Sequence, residues 1–275
     1  MKLNALKPVK ATTLVIDLRA FTSSLNSASV DEHGVNMFSA FLSRFYALCL
    51  ESALLSLPPS LRDIPPLHID STGDGMIIVF FDTDDHHIYA FLTAILIHSR
   101  LSFHISNSPI NGFGIGLESG FVSKVFATSD ALSVNTFIGE CINTAARAES
   151  LTKTLFRAKT IIGPRLNNLL TQDLLGTDYD SIRSIADAAA SDVTTLEQQR
   201  KMMLLNQALC LSFVYVHRLK GLHEPIPLYR LSESIINGNC NRFNQLLRKL
   251  TVDDEHLELV TTHLNACFPT IQGLA

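Results

Sequence analysis

The stretch HIDSTGDGMIIVFF, residues 68–81, decides the fold. Two apolar arms flank Thr-Gly-Asp-Gly, so it reads as a β-hairpin whose glycines supply the turn geometry. Upstream, residues 12–18 (TTLVIDL) are a short apolar, β-branched run with the length of a buried strand, and Asp17 falls at its end. In residues 35–57, Phe38, Phe41, Leu42 and Phe45 keep the i, i+3, i+4, i+7 spacing of a helix, which Pro58-Pro59 stops. Residues 84–101 return to helical spacing behind Asp84 and Asp85, and residues 113–126 (FGIGLESGFVSKVF) read as strand, turn and strand. The order β-α-β-β-α-β predicts an α+β domain with a ferredoxin-like core.

The second half is less regular. Residues 137–151 read as a turn and a helix, and residues 160–163 as a short strand, with Pro164 at the first position of another helix. Residues 178–208 are polar, alanine-rich and helical in composition, which predicts a helical insertion. Residues 211–219 and 227–231 form a last hairpin. The tail carries Phe243, Leu246, Leu247 and Leu250 at helical spacing. The expected division is a domain over residues 1–231 and a C-terminal helical extension over 232–275.

A chain of 275 residues with 47% hydrophobic and 17% charged residues is globular. Its net charge of −4 argues against nucleic acid or anionic lipid as a partner. The five cysteines (49, 141, 210, 240 and 267) are scattered and contain no Cys-x-x-Cys. They read as buried thiols of a reducing compartment. No uninterrupted apolar run reaches the ~18 residues of a membrane span. The N-terminus MKLNALKPVK lacks an apolar signal core, so a cytoplasmic protein without a membrane segment is expected. P-loop and nucleophile-elbow patterns are missing from the sequence. His86 and His87 are adjacent on a helix and are expected at the surface.

Two carboxylates stand out. In a split βαβ sheet the first strand and the hairpin are neighbours, so Asp17 and Asp74 meet at one edge. Facing carboxylates repel unless a cation lies between them, and hard oxygen ligands favour Mg²⁺ or Mn²⁺. The competing reading makes Asp17 a loop cap and Asp74 a turn residue. Asn143 and Arg147 share one helix face. Arg147 offers a planar fork for phosphate oxygens, but the pair could equally be a solvated face. Lys220 beside Gly221 could reach a phosphate and says little alone.

These residues occur in order within Asp17-Leu-Arg-Ala-Phe-Thr22, Thr72-Gly-Asp-Gly75, Gly116 to Gly120, Gly139-Glu-Cys-Ile-Asn-Thr-Ala-Ala-Arg147 and Leu219-Lys-Gly221. The sequence thereby resembles the class III nucleotidyl cyclase domain over residues 10–232. The resemblance implies that Asp17 and Asp74 hold two Mg²⁺ or Mn²⁺ ions per site. It implies that the backbone up to Phe21 and Thr22 wraps the triphosphate, that Asn143 and Arg147 stabilise the transition state, and that Lys220 binds the triphosphate. It also implies a nucleoside triphosphate substrate and a homodimer, with Asp17 and Asp74 of one subunit facing Asn143 and Arg147 of the other. One departure is Ala20, where many relatives have Gly.

The base is read at two positions. Adenylate cyclases of this type place a Lys three residues before the Gly-Asp of the hairpin; here Asp70 stands there. A carboxylate facing the adenine N1 lone pair sets acceptor against acceptor, which costs ~1–3 kcal/mol in a dry pocket. An acceptor suits guanine N1–H or uracil N3–H. The second base position falls on Thr136, whose hydroxyl can donate to a carbonyl. On the helix over residues 35–57, Phe41 and Phe45 read as core and Tyr46 as the more open candidate to narrow a purine pocket. The chain is also similar to the bacterial pyrimidine cyclases of the Pycsar anti-phage systems. That similarity implies a cyclic pyrimidine nucleotide as a messenger acting on a separate effector; with Asp70 and Thr136 the expected reaction is UTP to cyclic UMP, the alternatives being a GTP, CTP or ATP cyclase or a non-catalytic nucleotide-binding module.

Overall fold

The structure, a computed structural model, describes residues 7–28, 32–105, 110, 112–128, 133–154, 159–175, 211–220, 225–231 and 241–267. The insertion expected over 178–208 lies outside the described residues. The first strand, β1 (Val9–Leu18), is followed by α1 (Phe21–Ala28) and α2 (Glu32–Ser56). Then come β2 (Leu67–Ser71), β3 (Gly75–Phe81), α3 (His86–Ile105) and β4 (Phe113–Thr128). The next elements are β5 (Ser133–Ile138), α4 (Glu140–Leu151), β6 (Thr160–Ile162) and α5 (Pro164–Leu175). The last are β7 (Leu211–His217), β8 (Ile226–Leu231), α6 (Asn241–Leu250) and α7 (Asp254–Cys267).

The sheet order is β2-β3-β1-β4-β6-β8-β7, with β5 paired to β4. Its first four strands are the expected ferredoxin-like core, β1 lying antiparallel between β3 and β4. Strand alternation splits β1 between two faces. Leu14, Ile16 and Leu18 enter the main core with Phe38, Phe45, Phe91 and Ile95 of α2 and α3. The other face carries Ala11, which clusters with Val79, Phe137 and Cys141, and Asp17. Leu246, Leu247 and Leu250 of α6 and Val260 and Leu264 of α7 join the main core, so the tail packs on this domain.

The spans Val35–Ser56 of α2 and His86–Ile105 of α3 have the length and hydropathy to cross a bilayer. For α3 packing supplies the reason, since it lies between the sheet and α2 and α7 with two thirds of its apolar window buried.

Three expectations need correction. Residues 113–126 hold no turn: β4 is one strand of 16 residues, pairing first with β1 and β6 and then with β5. Its glycines make room for α4. A Cβ at Gly116 would lie 2.0 Å from the Ala145 carbonyl oxygen. Second, α1 was not expected; its sequence FTSSLNSA has few strong helix formers. Third, His86 and His87 are buried, at 5% and 2% exposure. The His86 ring is hydrogen-bonded to Thr12 Oγ1 at 2.7 Å, and His87 Nε2 lies 2.7 Å from Asp173 Oδ2. Burial holds the His86 pKa down at about 4, so the ring is neutral.

Candidate active site

The β1–β3 register fixes the carboxylate pair. Asp17 faces Gly75, the first residue of β3, and the Leu18 amide donates to the Asp74 carbonyl at 3.0 Å. Gly73 makes the turn with φ +88°, a conformation that favours glycine. Gly75 is required for a different reason. A Cβ there would lie 2.5 Å from the Ile16 carbonyl oxygen and 3.2 Å from Asp17 Oδ1. The Tyr46 hydroxyl, from α2, donates to the Gly73 carbonyl. The structure thus places Tyr46 as a brace on the turn that carries Asp74.

Asp17 already has a cationic neighbour. Lys153 Nζ, just beyond α4, donates to Asp17 Oδ2 at 2.8 Å and lies 3.9 Å from Glu149 Oε2. The hydrogen bond to Asp17 raises the Lys153 pKa; burial opposes this, and the charges of Glu149, Asp17 and Asp74 add to it. Glu149 is buried, which pushes its carboxyl up to about 7; Lys153 lowers it and Asp17 raises it again. Sequence reading missed Lys153 because 136 residues separate it from Asp17. Among the described residues, no group of three or more His, Cys, Asp or Glu could hold a metal. The Asp17–Asp74 pair nevertheless fits Mg²⁺ or Mn²⁺, whose shells take one or two carboxylates and are completed by substrate phosphates and water.

Phe21 and Thr22 open α1. The Phe21 ring is core, packed edge-on against Phe38 at 5.3 Å. Ala20, before it, has φ +58°. This is the left-handed region, unfavourable for a residue with a Cβ, and it explains why glycine suits this position.

Asn143 and Arg147 lie on the outer side of α4, opposite the side that buries Cys141, Thr144, Ala145 and Ala148. Their side chains make no hydrogen bond or ion pair to described residues. Lys220 is exposed, while Leu219 beside it is buried in one cluster with Ala148 of α4 and Leu228.

Asp70 and Thr136, 66 residues apart in sequence, meet: Thr136 Oγ1 donates to Asp70 Oδ2 at 3.2 Å. His68 Nε2 lies 3.1 Å from Asp70 Oδ1, and its ring packs on Phe137 at 5.1 Å. Sequence reading overlooked His68, although the period of two along β2 puts it on the face of Asp70.

The sheet order and its helices match the fold of class III nucleotidyl cyclase catalytic domains. Solved structures similar to this chain include a bacterial light-regulated adenylyl cyclase, with 16% identity and a TM-score of 0.55. That match covers 95% of this chain, which spans 58% of the other protein. The adenylyl cyclase CyaB from P. aeruginosa matches at 16% identity and TM-score 0.53 over 84% of this chain and 96% of its own. The guanylate cyclase domain of RhGC from Catenaria anguillulae, in complex with GTP, matches at 16% identity and TM-score 0.53 over 82% and 98%. No family model matches the chain, and no curated protein matches it in sequence.

Proposed function

We propose that this chain is a homodimeric, cytoplasmic nucleotidyl cyclase that converts UTP to cyclic UMP and pyrophosphate. The observation that carries the activity is the placement of Asp17 and Asp74 together by the β1–β3 register. Bound Mg²⁺ or Mn²⁺ at these carboxylates supplies acidification of the ribose 3′-hydroxyl and neutralisation of the triphosphate. The chain's own groups do the rest. The N–H groups opening α1 face the phosphates. On the other subunit, Asn143 orients the ribose oxygen and Arg147 stabilises charge on the α-phosphoryl oxygens, where a preorganised cation contributes most. Lys220 holds the triphosphate. The 3′-hydroxyl loses its proton to solvent as its oxygen bonds to the α-phosphorus, the bond to the bridging oxygen breaks, and pyrophosphate leaves with that electron pair.

Asp70 accepts from uracil N3–H and disfavours adenine. Cyclic UMP then acts on a separate effector in anti-phage defence. A second reading, GTP, draws on one specific observation: the Thr136 hydrogen is committed to Asp70. Both residues then face the base as acceptors, a match for guanine N1–H beside its 2-amino group. The test is purified protein with Mn²⁺ and each of ATP, GTP, CTP and UTP, with products resolved by chromatography and mass. A dominant cyclic UMP peak supports the proposal, cyclic GMP supports the second reading, and cyclic AMP contradicts both assignments of Asp70.

A further inference from the structure

We infer that Lys153 is a built-in counter-ion for the Asp17–Asp74 pair: its ammonium sits on Asp17 and competes with a divalent metal ion for that carboxylate. The inference rests on the metal-site reading above and adds a residue that competes with the metal. Three observations carry it.

First, Asp17 Oδ1 faces Gly75, where a Cβ would come within 3.2 Å, and Oδ2 accepts from Lys153 Nζ at 2.8 Å. An ammonium has only donors, and a divalent cation needs the same carboxylate lone pairs. The ammonium takes one of the lone pairs on Oδ2 and repels a second cation there, so the two cations compete for Asp17.

Second, the backbone that carries Lys153 is pinned while its side chain is half exposed. The Arg19 guanidinium donates from Nη2 to the Thr152 carbonyl at 2.6 Å, tying this segment to the residue that follows β1. The Thr152 amide caps α4 on Glu149, and the Lys153 amide bonds the Ser150 carbonyl at 3.2 Å. The Lys153 side chain is 48% exposed, so it can swing into solvent without disturbing the core.

Third, the ammonium sits among three acidic side chains, two of them the aspartates. Glu149 lies 3.9 Å from Nζ, and the charges of Asp17 and Asp74 both act on the ammonium. An ordinary surface pair neutralises a single solvated partner. Here the lysine closes a site whose two aspartates would otherwise repel.

The test measures Mn²⁺ binding to the full-length chain without nucleotide, by the loss of the free-ion electron paramagnetic resonance signal. Lys153→Met keeps the aliphatic stem and removes the charge. It should bind Mn²⁺ about fivefold more tightly than wild type, the scale of a partly exposed ion pair. Lys153→Arg keeps the charge and should stay near wild type. Asp17→Asn should bind far more weakly. Equal affinity in wild type and Lys153→Met, with binding still lost in Asp17→Asn, overturns the counter-ion role alone. Mn²⁺ binding that survives Asp17→Asn, or that none of the proteins shows, overturns the metal-site reading along with it.

Discussion

Asp70 and Asp74 stand four residues apart on one hairpin, yet they are compensated in opposite ways. Asp74 sits in the turn, beside Asp17, where the nearby positive charge is a half-exposed lysine. Asp70 sits inside β2, where His68 and the Thr136 hydroxyl each approach one carboxylate oxygen. A carboxylate compensated by a half-exposed lysine can exchange it for another cation. One held by a hydroxyl donor on its own sheet keeps a fixed orientation and can read the edge of a base.

The largest effect should come from the turn end. Asp74→Ala should lower turnover by about a thousandfold or more, since the bound metal contributes several kcal/mol to the transition state. Steady-state cyclase assays check this, and full activity would remove Asp74 from the site. The strand end should change choice before rate. Asp70→Lys should shift the ATP:UTP ratio of kcat/KM toward ATP by about tenfold or more, because an unpaired buried polar group discriminates strongly.

Glu118 sharpens the contrast as a third carboxylate, placed on the β4 face covered by α4 and α5. It accepts from the Ser119 and Leu166 amides at 2.8 and 3.0 Å, and burial pushes its pKa up to about 7. With the folded value above the ordinary 4.5, the unfolded chain releases this proton first as pH rises. Glu118 therefore costs stability progressively between about pH 4.5 and 7, and fully above that. Glu118→Gln keeps an acceptor oxygen and cannot ionise. Its Tm relative to wild type should rise with pH across that window and level off above it; a difference independent of pH would contradict the assignment. The smallest effect is at Ala20, where φ is +58°. Ala20→Gly should relieve about 1 kcal/mol of backbone strain, seen as a Tm higher by a few degrees.

The core was legible because its signals are local. The hairpin turn chemistry, the apolar run ending at Asp17 and the helical spacing of Phe38 and Phe45 each need few neighbours to be read. Asp17, Asp70, Asp74 and Thr136 were legible through motif order, and the structure does bring Asp70 to Thr136 and Asp17 to the end of β3 beside Asp74. What sequence hid depends on tertiary contact. The glycines at 114, 116 and 120 look like turn residues until α4 is laid on them. His86 and His87 look like a polar helix start until Thr12 and Asp173 reach them. Lys153 is one more exposed lysine until α4 delivers it to Asp17.

The central claim is a composite site shared between two copies of this chain. Its most direct test mixes Asp74→Ala subunits with Arg147→Ala subunits, each inactive alone, and measures cyclic nucleotide formation after subunit exchange. In a twofold dimer, half of the exchanged pairs are mixed and each mixed pair has one intact site. The account predicts recovery to about one quarter of wild-type activity. No recovery, with exchange demonstrated by mass, would contradict it.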